Sequence, residues 1–186
     1  VISDEESDVN DKGNQFVWIP VENIDTFVRE PGYYNGSIQT NHPFASFSEP
    51  FATGSEEEKE EYEKMKESIR EYKGFYIGRY EISNDGNDKA QSKKNKDPWS
   101  GIKWGNSMTD LSGGIVEKAR GMYPEEVATK GKAVSTLVYG VCWDETVRFI
   151  KKNYPGVEKD SSGYGNYEAS DKIKTGSNEA YALNNI

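Results

Sequence analysis

Lys73-Gly74-Phe75-Tyr76-Ile77-Gly78-Arg79-Tyr80-Glu81-Ile82-Ser83 is the stretch on which the fold turns. Its aromatic and β-branched residues favour extended backbone, and their alternation predicts a strand from Phe75 to Ile82. Phe75, Ile77 and Arg79 then point to one face, and Tyr76, Tyr80 and Ile82 to the other. Immediately upstream, residues 55–73 read as a helix. Ser55 with Glu58 three residues later forms a capping box. Glu56, Glu57 and Glu58 suit the positive end of the helix dipole. Glu60 stands four residues before Lys64, the favourable order for an ion pair. Tyr62, Met65, Ile69 and Tyr72 recur at helical spacing and share one face. Gly74 is placed to end the helix. The remaining faces are charged, so this helix lies on the surface and buries one narrow stripe.

Working outward, Gln15-Phe16-Val17-Trp18-Ile19 reads as a strand closed by Pro20. Residues 1–14 are polar and acidic and read as a flexible N-terminal segment. Residues 20–54 are irregular, with Phe27, Tyr33, Tyr34, Phe44, Phe47 and Phe51 expected to pin them to a core. Downstream, residues 83–101 form a loop rich in Asn, Asp, Gly and Lys. A helix is expected over Ser112 to Met122, through Ile115, Val116 and Ala119, with Gly113 and Gly114 weakening its first turn. Val134 to Leu137 reads as a short strand or an extended entry to the next helix. Tyr139 to Lys152 reads as a helix with Trp143, Val147 and Ile150 on its core face, closed by Lys151 and Lys152 at its negative end. Residues 153–186 are expected to be mostly loop.

Length and charge bound the function. The chain has 186 residues, which fits one domain of about 100–200 residues. Only 34% of residues are apolar, so the core must be concentrated in few segments; 12% are aromatic, too many for a disordered polar chain. A net charge of −9 argues against nucleic acid, whose phosphates need a basic footprint. The one dense basic cluster, Lys93, Lys94 and Lys96, reads as a solvated turn. No run approaches the roughly 18 apolar residues of a membrane span, so no membrane insertion by this chain is expected. Cys142 is the single cysteine, so no internal disulfide forms.

Four segments in order carry a resemblance: "NQFVWIPVE" (14–22), "KGFYIGRYEIS" (73–83), "IKWGNSM" (102–108) running on to "GGIVEKARGM" (113–122), and "VSTLVYGVCWDETVRFI" (134–150). Together they resemble the formylglycine-generating-enzyme (sulfatase-modifying factor) family, and within it a gut-bacterial branch. Phe75, Ile77 and Glu81 match a strand pattern of the family, Trp104 a Trp-led segment feeding a helix, and Trp143-Asp144 a helix bearing a Trp followed by an acid. The resemblance covers most of residues 15–152. It implies an α+β, C-type-lectin-like fold: a small twisted sheet, about three helices and long loops. The 55–73 helix departs from the classical enzymes and looks like an insertion of the branch. Residues 15–186 would then be a domain incomplete at its C-terminus, an N-terminal fragment. The active-site cysteines and most calcium ligands of the enzymes come later than the "Asn-Ile" at residues 185–186. The cofactor expected in this chain is therefore none, with calcium admitted for a full-length domain. The place implied is extracellular or cell-surface in a bacterium.

Candidate chemistry is weighed residue by residue. Cys142 beside Trp143 reads as a buried structural thiol, since a reactive one wants a base or an electropositive, partly exposed setting. His42 alone cannot make a His-rich metal site. Glu81 reads as a partly buried acid bonded to backbone or paired with Arg79 or Arg120, with a catalytic carboxylate as the alternative. Asp160, Asn166, Glu168 and Asp171 offer oxygen donors of the kind calcium takes, in a spacing that matches no EF-hand. Tyr33, Tyr34, Trp99 and Trp104 lie in or beside loops, where rings with polar neighbours suit a sugar or a protein; the same rings can equally serve as core. The reading is a non-catalytic binding or display domain with a protein or glycan ligand. Its alternatives are a formylglycine-generating-type oxidase with its cysteines beyond this chain, and a structural, pilin-like head domain. Oligomeric state is not legible here.

Overall fold

The computed structural model describes residues 1–4, 13–29, 33–34, 37–38, 56–107, 110–124 and 133–154. Among them it is an α+β chain with small antiparallel sheets and three α-helices. The strands are β1 (Ile2–Ser3), β2 (Gln15–Pro20), β3 (Tyr33–Tyr34), β4 (Ser37–Ile38), β5 (Gly74–Gly78), β6 (Ser83–Asn84) and β7 (Ala90–Gln91). The helices are α1 (Glu56–Tyr72), α2 (Ile115–Arg120) and α3 (Gly140–Asn153), with a 3-10 turn at Ile24–Thr26. Sheet order is β1-β2-β5, with separate pairs β3-β4 and β6-β7. Among the described residues no helix is long and apolar enough to cross a membrane.

The chain divides into two compact units. The first holds the described residues of 1–17 and 77–137; the second holds those of 18–76 and 138–154. β2 and β5 each run from one into the other.

The second unit has an apolar core. Val21, Phe27, Ile69, Tyr139, Val141 and Cys142 form one buried cluster, flanked by Ile24, Tyr62, Met65 and Phe75. α1 supplies Ile69, Met65 and Tyr62, as the sequence spacing predicts. Tyr72 shares that face by spacing but is the last residue of the helix, and it is exposed. Glu60 and Lys64 do pair, at 3.4 Å. The Ser55–Glu58 capping box lies outside the described residues. The residue that ends α1 is Lys73, with φ of 64° and its N–H donating to Ile69 O at 2.8 Å. Gly74 is needed for a different reason: a Cβ there would stand 2.4 Å from the Trp18 ring and 2.5 Å from Ile19 O.

α3 spans nearly the expected residues but turns another face inward. Val141, Cys142 and Thr146 are buried, whereas Trp143 is 52% exposed. Trp143 is therefore not a core residue. The partners decide the phase: the Tyr62 and Tyr139 rings meet edge-on with centroids 5.6 Å apart, and Cys142 Sγ lies 3.9 Å from Met65 Sδ. The chain at Val28-Arg29 runs along another side of α3. There Arg29 Nε pairs with Asp144 at 3.3 Å, and Arg148 donates to Val28 O at 2.6 Å.

The first unit is held more by hydrogen bonds. Gln15, Ser83, Gln91 and Ser92 are buried, alongside Ala90, Val116 and Ala119. Ser92 is the hub. Its C=O accepts from Gln15 N at 3.0 Å, its N–H donates to Asn14 Oδ1 at 2.8 Å, and its hydroxyl donates to Tyr80 O at 2.9 Å. These bonds draw the chain into a bend at Arg79-Tyr80, so β5 ends at Gly78 rather than running to Ile82. Glu81, past that bend, is exposed rather than partly buried. Arg79 donates instead to Gln15 Oε1 at 2.8 Å.

At the chain start, Ile2 and Ser3 pair with Phe16 and Gln15, in the stretch expected to wander. Asp4 accepts from Asn14 N at 2.6 Å, from Asn14 Nδ2 at 2.8 Å and from the Tyr123 hydroxyl. Tyr123 also meets Phe16 edge-on. α2 is shorter than the Ser112–Met122 expected, because Gly114 is an extended N-cap. Val134 to Leu137 forms no strand: Ser135 N donates to Tyr123 O at 3.0 Å, and its hydroxyl to Ala119 O at 2.6 Å, which tie the segment to the end of α2.

Candidate functional site

The first unit carries an open depression of about 450 Å³, lined by Asn84, Asp88, Trp99, Gly101, Ile102, Lys103 and Gly113. Three pieces of chain build it. The first is the β6–β7 hairpin, in which Ser83 pairs with Gln91 and Asn84 with Ala90. Its connecting loop is wound around two side chains. Asn84 Oδ1 accepts from Gly86 N at 2.7 Å and Asp88 N at 3.2 Å; Asp85 Oδ1 accepts from Asn87 N at 2.8 Å and Lys89 N at 3.0 Å. Short Asn and Asp side chains favour such local bonds to backbone. Asp88 sits at φ of 62° and is anchored from α2 by Lys118, at 2.5 Å. That hydrogen bond raises the Lys118 pKa.

The second piece carries Trp99. Its backbone N–H donates to Ile82 O at 2.9 Å, and Pro98 bridges to Ser83, so the backbone that carries the ring is hung from the edge of the hairpin. The third piece runs from Lys103 to Gly114. Lys103 O accepts from Ile115 N at 2.9 Å, and its ammonium bonds Asn106 Oδ1. Asn106 Nδ2 in turn donates to Asp110 Oδ2 at 3.0 Å and Ser112 Oγ at 2.9 Å. The Ser112 hydroxyl, then Asn106 and the Ser112 backbone, hold the Asp110 carboxyl below its ordinary value. The loop closes tightly: a Cβ on Gly114 would stand 2.0 Å from Trp104 O, so only glycine lets the two backbones approach.

The depression thus joins an indole, a carboxamide, a carboxylate and an ammonium. That set can cover one face of a small polar ligand and exchange hydrogen bonds with it. Lys118 beside Asp88, and Asn106 with Asp110 beside Lys103, leave the lining close to electrically balanced.

Of the ligand-binding residues read from sequence, Trp99 lines the depression. Trp104 is 41% exposed but is not among the lining residues. Tyr33 and Tyr34 form β3, paired with Ile38 and Ser37, in the second unit. Asp160, Asn166, Glu168 and Asp171, and also His42, lie outside the described residues. Among the described residues no three of His, Cys, Asp and Glu gather in a group that could hold a metal. Cys142 is buried in the apolar cluster, as expected of a structural thiol. Asn84, Asp88 and Lys103 are the residues that sequence reading missed. The signal was the alternation of Asn84, Asp85, Asn87 and Asp88 around Gly86, which marks a side-chain-wound turn rather than a plain loop. No family model, no curated protein and no solved structure matches this chain.

Proposed function

We propose that this chain is a non-catalytic binding or display domain, extracellular or cell-surface, that recognises a protein or glycan ligand. The finer fold proposed is the C-type-lectin-like fold of the formylglycine-generating-enzyme type, on the resemblance over residues 15–152. The observation that carries the function is the depression at Trp99, with Asn84, Asp88 and Lys103 around an aromatic ring. A saccharide presents such needs, an apolar ring face and rim hydroxyls that both donate and accept. The setting of Cys142 supports the non-catalytic reading of this chain. A thiol packed with Val141 and Met65 lacks the electropositive, partly exposed surroundings that make a nucleophile.

The test is a glycan array probed with the labelled full chain, followed by calorimetric titration of any saccharide that binds. Each titration is run with calcium and with chelator, because Asp160, Asn166, Glu168 and Asp171 are the proposed calcium donors. Trp99→Ala should weaken binding by about 0.5–1.5 kcal/mol, the scale of a ring contact, with the fold intact by thermal melt. Binding unchanged in Trp99→Ala would move the site away from this depression. A silent array, with capture of a protein that Trp99→Ala loses, would select the protein ligand.

A further inference from the structure

The hairpin loop at the edge of the depression carries the chain's only Asp-Gly pair, Asp85-Gly86. Such a pair can rearrange without any enzyme. The glycine nitrogen loses its proton and attacks the aspartate side-chain carbon. The carboxyl hydroxyl leaves as water, and a succinimide ring closes. A second water then opens the ring. Opening at the former main-chain carbonyl leaves the backbone running through the side chain, as isoaspartate. One water leaves and one enters, so no oxidant or reductant is consumed. Glycine at the second position favours the reaction because no side chain hinders the attack.

We infer that Asp85-Gly86 is an isomerisation site held closed by the side chain of Asn84. Ring closure needs the glycine nitrogen free, the aspartate carboxyl neutral and the loop able to swing. The fold opposes each need. Gly86 N–H is committed to Asn84 Oδ1 at 2.7 Å. The Asp85 carboxylate accepts from the backbone of Asn87 and Lys89, and the Asn87 bond is the largest cause holding its pKa below the ordinary value. An anionic carboxylate is a poor electrophile. The loop itself is closed by Asp85 N donating to Lys89 O at 3.0 Å, and Asp88 is tied to Lys118 at 2.5 Å. Loss of the Asn84 bond therefore frees the nucleophile and slackens the turn together, since the same oxygen also holds Asp88 N. Isomerisation would insert a methylene into the backbone between Asn84 and Asp88, two residues of the depression's lining. The inference stands whether or not that depression binds a ligand.

The experiment ages the full chain at neutral pH and physiological temperature, then measures isoaspartate in the proteolytic peptide bearing Asp85 by mass spectrometry with electron-transfer fragmentation. A synthetic peptide of residues 83–91 gives the unprotected rate. Deamidation at Asn35-Gly36 adds mass in a different peptide and is scored apart. The wild type should isomerise several-fold more slowly than the synthetic peptide. Asn84→Ala should approach the peptide's rate, and Asn84→Asp, which keeps an acceptor oxygen, should stay near the wild type. A wild type as fast as the peptide, or Asn84→Ala no faster than the wild type, would overturn the inference. Should Asn84→Ala fail to melt cooperatively, hydrogen exchange of the wild-type Gly86 amide decides: protection supports the guard, and exchange at the free-peptide rate removes it.

Discussion

Lys73 stands at φ of 64°, in the left-handed region where a Cβ crowds the following carbonyl. Its backbone is fixed at both ends, with N–H donating to Ile69 O at 2.8 Å and C=O accepting from Val21 N at 2.9 Å. Its side chain is exposed. Lys73→Gly should therefore stabilise the chain by about 1 kcal/mol, seen as a higher denaturant midpoint at unchanged slope. A lower midpoint would mean that the lysine side chain itself holds the turn. Helical periodicity located this end to within one residue. It could not say which of two neighbours turns left-handed. The approach of Gly74 to Trp18, a residue distant in sequence, settles that, and no local pattern records it.

At the scale of elements, α1 was legible because its outer faces are so charged that only one stripe remained to bury. α3 was legible in extent but not in phase. It carries apolar residues on several sides, with Val141 and Cys142 on one, and Trp143, Val147 and Ile150 on another. Spacing alone favours the bulkier set; the contacts with Tyr62 and Met65 bury the other. Trp143→Ala should accordingly change stability by no more than about 1 kcal/mol, against about 2–5 kcal/mol for Ile69→Ala in the same unit. Paired urea melts compare them, and a Trp143→Ala loss as large as that of Ile69→Ala would restore the ring to the core. The candidate site divides in the same way. Trp99 could be picked out as a loop ring. Asn84 and Asp88 join it only because the β6–β7 hairpin closes and Pro98 bridges to Ser83, which are pairings between segments.

For the whole molecule, acidity has a cost that the fold partly offsets. The chain carries a net charge of −9, yet Asp4, Asp85 and Asp110 each hold a carboxyl below its ordinary value. At Asp4, burial opposes the charge, but bonds from Tyr123 and Asn14 outweigh it. A depressed carboxyl contributes stability that is fully present above its unfolded pKa and is lost as pH falls through the folded one. The thermal midpoint should hold from neutral pH down to roughly pH 4 and then decline. Asp4→Asn should shallow that decline without removing it, since Asp85 and Asp110 titrate in the same window. An equally steep decline in Asp4→Asn would show that the clasp at the chain start adds nothing to acid stability.

The contrast between the two interiors reaches further than packing. The first unit buries Gln15, Ser83, Gln91 and Ser92 among its few apolar residues; the second buries Val21, Phe27, Ile69 and Val141. Exposing apolar surface raises heat capacity, and exposing polar surface lowers it. The two units thus feel temperature through different terms. Cooling should weaken the apolar cohesion of the second more than the hydrogen-bonded interior of the first. The loop around Trp99, which belongs to the first, is then expected to be the part that cold disturbs least.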